Sequence, residues 1–303
     1  MNTNWRLGLT FALVTALMWG LLPLALKGVL GHMDPVTITW YRFSVSAVIA
    51  LAWLGPRSLG QLHKLFSRGA LPWSCLVVFG LLGNYLLYIM GLDYTNPGAS
   101  QILVQLAPLM LLLVSVLVLR EDFHYLQWVG VAGFTVGLVL FFHQRLSSTV
   151  ATDERYLAGV GFMLLAALVW TAYAIAQKKL LLTFHTKDIL VLLCVGGSVL
   201  LLPFSEPSQV FQLDRVQLGL LLFCGLNTVI AYGAFGLALS YWEASRVSAI
   251  VPLTPLLTLL FTWILGEWFD LDIASEPLDM LGVLGALMVV TGSAMAALPR
   301  GQK

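Results

Sequence analysis

One formal charge lies inside a long apolar run: Arg42, in the stretch Trp40-Tyr41-Arg42-Phe43. A guanidinium keeps its charge at physiological pH and offers a planar fork that fits a carboxylate. Arg42 sits about six residues into its run, or ~9 Å of helical rise. Three roles are open to it. It binds an anionic group of a substrate, it holds a carbonyl of a neighbouring helix, or it snorkels to a polar boundary. The neutral polar groups are more numerous. Gln101, Gln105, Pro108, Leu112 and Ser115 are spaced to share one helical face. A shift of 147 residues places Ser248, Pro252, Pro255, Leu259 and Thr262 in the same pattern. Asn84, Tyr88 and Gly91 form a second face, and Asn227 and Tyr232 stand in a comparable run. An amide donates and accepts, so it can hold a zwitterion or a hydroxyl without a fixed charge. Trp19, Trp170 and Tyr173 offer aromatic walls or gates. Each group has an alternative as packing: amides bond between helices, rings fill cores, and Pro108, Pro252 and Pro255 kink helices.

Covalent chemistry has no constellation to carry it. There is no His-Glu-x-x-His, Gly-x-Ser-x-Gly or Walker A pattern. Asp93, Glu121, Glu243 and Glu267 all fall near run ends, as do the five histidines. No acid stands mid-run to relay a proton, which favours a facilitator, an exchanger, or coupling at a cavity mouth. Cys75, Cys194 and Cys224 lie in apolar runs with no Cys-x-x-Cys pair, and read as packing residues. No metal and no cofactor is expected.

The elements that position these groups must be membrane helices. Apolar residues make up 59% of the 303, and charged residues only 10%. A soluble domain carries about 25% charged residues. The composition excludes a soluble enzyme and a disordered chain, and a net charge of +1 excludes a nucleic-acid binder. Ten runs approach the ~20 residues that a bilayer core requires. They cover 7–26, 36–54, 71–92, 98–119, 126–142, 157–177, 189–204, 216–239, 247–266 and 278–298. The first is too long for a signal peptide, no small-x-small cleavage site follows it, and a near copy recurs mid-chain.

That recurrence divides the chain. A shift of 151 lays Gly8, Phe11, Trp19, Ala25 and Lys27 on Gly159, Phe162, Trp170, Ala176 and Lys178. A shift of 145 pairs Gly80, Gly91 and Ser100 with Gly225, Gly236 and Ser245. The expected organisation is a five-helix repeat over 7–142, a connecting loop over 143–156, and a second repeat over 157–298. Five is odd, so the second repeat enters the bilayer inverted. Inverted repeats are typical of transporters, with the substrate site between the halves. With ten spans both termini share a side. Eleven basic residues lie on that side and four on the other, so the termini are expected in the cytoplasm.

In its repeat, motifs and length, the chain resembles the EamA-type branch of the drug/metabolite transporter superfamily. The carrying residues are Trp19-Gly20, Trp170-Thr171, Arg42, and the pairs Pro108…Glu121 and Pro255…Glu267. The resemblance implies an all-α integral membrane fold with ten transmembrane helices in two inverted five-helix repeats. It also implies a central cavity lined by helices 1, 3, 4, 6, 8 and 9. The implied function is transport of amino acids, other small metabolites, sugars or drugs, often outward. Two departures stand out. The first proline–acid spacing is one residue longer than the second, and Arg42 has no counterpart near Leu193. The expectation is therefore a multi-pass carrier of the cytoplasmic (inner) membrane working by alternating access. Its partners are the lipid bilayer and a small solute. A channel is the rival, and it would show a ring of repeated filter residues. An intramembrane enzyme is the remoter rival.

Overall fold

The computed structural model describes residues 5–54, 63–107, 110, 125–144, 154–180, 182–241, 250–269 and 279–296. Pro108, Glu121, Glu243, Ser248 and most of the 143–156 connection lie outside these residues. The described residues form ten α-helices: α1 (Trp5–Val29), α2 (Pro35–Leu54), α3 (Leu71–Tyr94), α4 (Pro97–Val104), α5 (Tyr125–Phe141), α6 (Glu154–Leu180), α7 (Thr186–Leu201), α8 (Arg215–Tyr241), α9 (Thr254–Phe269) and α10 (Met280–Ala296). Among the described residues, five segments are long and apolar enough to cross a bilayer: Arg6–Val29, Pro35–Ala52, Leu71–Tyr94, Glu154–Gln177 and Arg215–Phe235. Tyr125–Phe141, Asp188–Phe204, Val251–Glu267 and Met280–Ala296 are apolar but shorter.

Local chemistry sets several boundaries. At Gly31 the chain turns with φ of 94°, a left-handed conformation that suits glycine. Asp34 then starts α2. Its Oδ1 accepts from the Val36 and Thr37 N–H groups at 2.8 and 3.0 Å, and Pro35 fills the first helical position. Asn96 does the same for α4, accepting from the Ala99 N–H at 2.9 Å ahead of Pro97.

The described α4 ends at Val104 and Gln105 forms a turn, but Leu106, Ala107 and Met110 are helical again; Pro108 and the rest of the fourth run to 119, apart from Met110, lie outside the described residues. One expectation is altered. The ninth run was expected from 247 as one helix. Instead Val251–Leu253 forms a 3₁₀ turn and α9 starts at Thr254. Pro252 and Pro255 therefore stand in the turn and in the first turn of α9, not in a helix interior. A first turn leaves its N–H groups without intrahelical partners, so proline is tolerated there.

The chain gathers into two compact units. Unit 1 comprises Met1–Leu24, Gly91–Leu164 and Ile230–Lys303; unit 2 comprises Ala25–Met90 and Leu165–Val229. Helices α1, α3, α6 and α8 contribute a part to each.

Unit 1 is built on α5 against α10. Gly130 and Gly137 on α5 face Gly292 and Gly285 on α10. A Cβ on Gly130 would stand 2.6 Å from the Ala296 nitrogen, and one on Gly137 2.7 Å from the Val289 nitrogen. A Cβ on Gly292 would stand 2.5 Å from the Phe134 nitrogen, and one on Gly285 would collide with the Phe141 nitrogen. The two backbones are in contact, the close approach that small residues permit between membrane helices. Phe134 and Phe141 bury themselves beside the seam with Ile102, Ala286 and Val289.

Unit 2 has a core of rings and branched side chains, including Phe43, Val77, Leu82, Tyr85, Tyr173 and Ile189. Here α2 meets α7 through side chains. The Trp40 indole donates to the Ser198 carbonyl at 3.0 Å, and the Ser44 and Ser198 hydroxyls lie 2.8 Å apart. The segment between α7 and α8 closes over the start of α2. The Asp34 N–H donates to Gln209 Oε1 at 2.9 Å, the Glu206 N–H to Thr37 Oγ1 at 2.8 Å, and the Tyr41 hydroxyl to the Pro207 carbonyl at 2.8 Å.

Candidate functional site

The expected site residues divide between the units. Unit 1 holds Trp19, Gln101, Gln105, Tyr232, Pro252 and Pro255. Unit 2 holds Arg42, Asn84, Tyr88, Trp170, Tyr173 and Asn227.

In unit 1 the organising residue is one that the sequence reading passed over. Pro23 lies inside α1. Its nitrogen carries no hydrogen, so the Trp19 carbonyl four residues back has no helical donor. The Gln101 amide takes that place, donating from Nε2 to the Trp19 oxygen at 3.0 Å. One residue on, the Thr258 hydroxyl donates to the Gly20 carbonyl at 2.8 Å. Gly20 allows α9 to come this close, since a Cβ there would lie 3.0 Å from that of Leu257. The Trp19 ring meets Tyr232 edge-on at 5.5 Å and Phe235 at 5.8 Å. Higher on α1, the Thr15 hydroxyl reaches the Ala231 carbonyl at 3.3 Å. Trp19, Gln101 and Tyr232 are thus gathered around the proline break of α1. Gln105 is turned elsewhere, and its Oε1 accepts from the Ser293 hydroxyl of α10 at 3.2 Å. The signal for this arrangement was legible: a proline four residues after Trp19 marks an orphaned carbonyl, and Gln101 is a donor of the right reach.

In unit 2 Arg42 is 3% exposed, so its side chain does not snorkel. Its guanidinium carbon lies 4.5 Å from the centre of the Tyr85 ring, and Nη2 donates to Thr228 Oγ1 at 3.4 Å. The Tyr85 ring in turn packs on Phe43 at 5.0 Å. Arg42 therefore ties α2 to α3 and α8. Asn84, next to Tyr85, donates from Nδ2 to the Ala166 carbonyl of α6 at 3.0 Å. Asn227, next to Thr228, is fully buried. Trp170 and Tyr173 stand 6.4 Å apart, with Tyr173 packed on Gly80 of α3. Tyr88 is half-buried on the same helix. Among the described residues, no group of three or more His, Cys, Asp or Glu side chains could hold a metal.

The described helices are apolar and long enough in five segments to cross a bilayer, and they bury amides, rings and one guanidinium among them, as the helices of an integral membrane protein do. The sequence pattern of the EamA-like transporter family matches residues 6–143 and again 157–298, and the chain belongs to that family. It is 39% identical over 296 residues to the "Uncharacterized inner membrane transporter YhbE" of Escherichia coli K12, covering 96% of this chain and 91% of that one. It is 37% identical over 293 residues to an "Uncharacterized transporter" of Haemophilus influenzae, covering 96% and 95%. One solved crystal structure, 18% identical, superposes with a TM-score of 0.65 over 96% of each chain, a likeness of fold.

Proposed function

We propose that this protein is a secondary carrier that moves a small metabolite or drug, of the amino-acid-like kind, outward across the inner membrane by alternating access. The reading takes ten spans in two inverted five-helix repeats with both termini cytoplasmic. The observation that carries it is the double family match, one copy over each half of the chain. An odd number of helices per copy inverts the second. The glycine seam supports the same repeat, because a shift of 155 lays Gly130 and Gly137 on Gly285 and Gly292. The inner-membrane assignment is supported by the name of the Escherichia coli relative. The proposed solute contacts are Trp19, Gln101, Gln105, Tyr232 and Ser248 in unit 1, and separately Arg42, Asn84, Tyr88, Trp170, Tyr173 and Asn227 in unit 2. Pro108, Pro252 and Pro255 are the proposed bending points.

Single cysteines in a background lacking Cys75, Cys194 and Cys224 test both topology and site. On intact cells, a membrane-impermeant thiol reagent should label Thr149→Cys and leave Lys303→Cys untouched. Asn84→Cys and Gln105→Cys should react faster than the lipid-exposed Val139→Cys, because thiol reagents need thiolate and hence water. Labelling of both Thr149→Cys and Lys303→Cys, or of neither, would sink the inverted repeat, and the reverse pattern would overturn the cytoplasmic termini. Rates at Asn84→Cys and Gln105→Cys no faster than at Val139→Cys would remove both from the site.

A further inference from the structure

Arg42 carries a charge it cannot shed, and unit 2 holds it away from solvent. Desolvating an ion costs several kcal/mol even after relaxation, so a buried cation persists where something compensates it. The compensation within the described residues is partial. One face rests on Tyr85 at 4.5 Å. The hydrogen bond from Nη2 to Thr228 is long, at 3.4 Å. The Thr228 hydroxyl spends its own hydrogen on the Cys224 carbonyl, also at 3.4 Å. Nε is buried with no hydrogen-bond partner, and no carboxylate pairs with the guanidinium, among the described residues. Nε–H and the neighbouring Nη–H form the edge that binds a carboxylate through two parallel bonds. That edge is the under-used part of this side chain.

We propose that Arg42 is the receiving group for an anion, and that the anion is the carboxylate of the transported solute. One guanidinium balances one monovalent carboxylate and leaves the occupied site neutral. Phosphate would demand a second cation, and among the described residues the partners of Arg42 are a ring and a hydroxyl. Tyr85 and Thr228 come from α3 and α8, so the guanidinium is held by two helices besides its own. The absence of an Arg42 counterpart in the second half then has a meaning: the repeat supplies the frame, and one unpaired cation supplies the preference for charge. The inference rests on the carrier reading only in taking the anion as cargo.

The test uses the purified full chain in nanodiscs, with melting temperature recorded against acetate, benzoate and glycine. Acetamide, benzamide and glycinamide serve as uncharged partners, and sodium chloride as an inorganic anion. At least one carboxylate should raise the melting temperature where its amide does not. Arg42→Gln should abolish that response. Arg42→Lys keeps the buried charge but not the fork, and should weaken the response by about tenfold or more. If Arg42→Gln cannot be purified, Arg42→Lys decides alone, and equal affinity in it and the natural protein overturns the proposal. Chloride protecting while no carboxylate does overturns the assignment to cargo, and no anion protecting overturns the site. Uptake into proteoliposomes is read separately. Arg42-dependent carboxylate binding without any solute movement would sink the carrier reading and leave the anion site standing. Uptake that is indifferent to Arg42 would leave the carrier reading standing and overturn Arg42 as the receiver of the cargo.

Discussion

Two units of this chain solve helix packing in different ways. In unit 1, α5 and α10 meet backbone against backbone, across glycines spaced seven apart on both helices, and polar side chains mend what a proline breaks in α1. In unit 2, α2, α3, α7 and α8 meet through large side chains: Phe43 over Gly197, Arg42 over Tyr85, Trp40 bonded to Ser198. Lipid offers no hydrophobic drive for helices to associate, so contact quality and interhelical bonds must hold them. Backbone contact has no give, because the atoms involved belong to two rigid helices. Ring contact has some, because a ring can turn or shift within its core. The two units should therefore answer the same insult differently.

The largest expected effect uses one methyl group as that insult. Gly285→Ala drives a Cβ into the Phe141 nitrogen, and relief requires α5 and α10 to separate along the whole seam. Overpacking a tight site costs about 1–3 kcal/mol and sometimes more, and this substitution belongs at or above the upper end. Gly197→Ala places its Cβ 2.7 Å from the Phe43 ring, a side chain that can move by a few tenths of an ångström. Its cost should fall near the lower end of that range. Melting of both variants in one detergent measures the difference. Equal losses would mean that the α5–α10 seam yields as readily as a ring.

The same contrast explains what the sequence disclosed. Helix positions were legible wherever about twenty apolar residues run without interruption, because a bilayer sets that length. The 3₁₀ turn at Val251–Leu253 ahead of α9 was not, because the proline rule fixes where a ladder fails but not which partner takes over. The glycine seam was written in the sequence as Gly130…Gly137 and Gly285…Gly292, 155 apart. It went unread because glycine is abundant here and its weight comes only from the facing helix. Candidate polar residues were found as types, and the choice of partner was not. Nothing in the string Gln101…Gln105 tells that one amide caps the Trp19 carbonyl and the other meets Ser293. Arg42 was legible as an anomaly, and its burial, which sets snorkelling aside, needed Tyr85 and Thr228 to be in place.

The two interhelical amides give a sharper and smaller test of that partner chemistry. Gln101 serves a carbonyl that Pro23 has orphaned, whereas Asn84 donates to the Ala166 carbonyl within a continuous α6, where Trp170 already supplies an N–H. Gln101→Leu therefore strands a half-buried acceptor, at about 1 kcal/mol, the lower end of the cost of an unsatisfied group. Asn84→Leu removes a second bond to a satisfied oxygen, closer to the ~0.6 kcal/mol average of membrane hydrogen bonds. Pro23→Ala returns an N–H to α1 and should recover most of what Gln101→Leu loses. Melting the single and double variants as a cycle should show a coupling of about 1 kcal/mol. Strictly additive losses would mean that Gln101 does not stand in for the missing donor.

The smallest expected effect compares two helix starts. Asp34 opens α2 in unit 2, with Thr37 donating to its Oδ2 at 2.6 Å and the Gln209 side chain holding its own N–H. Asp279 opens α10 in unit 1 at an exposed position, its Oδ1 accepting from the Gly282 N–H at 2.8 Å and its Oδ2 lying 3.1 Å from His143 Nε2. The Gly282 N–H, with help from Gln144 and His143, holds the Asp279 carboxyl below its ordinary 3.8. A carboxyl lowered on folding stabilises the folded chain above the ordinary value, and that contribution fades as pH falls through the lowered one. Asp279→Asn should therefore melt slightly below the natural protein at neutral pH, and the gap should close below about pH 4. Asp34→Asn, which also loosens the segment between α7 and α8, should melt lower than Asp279→Asn at neutral pH. A gap for Asp279→Asn that persists unchanged into acid would show that the lost charge was never the cause, and that the cap works through shape alone.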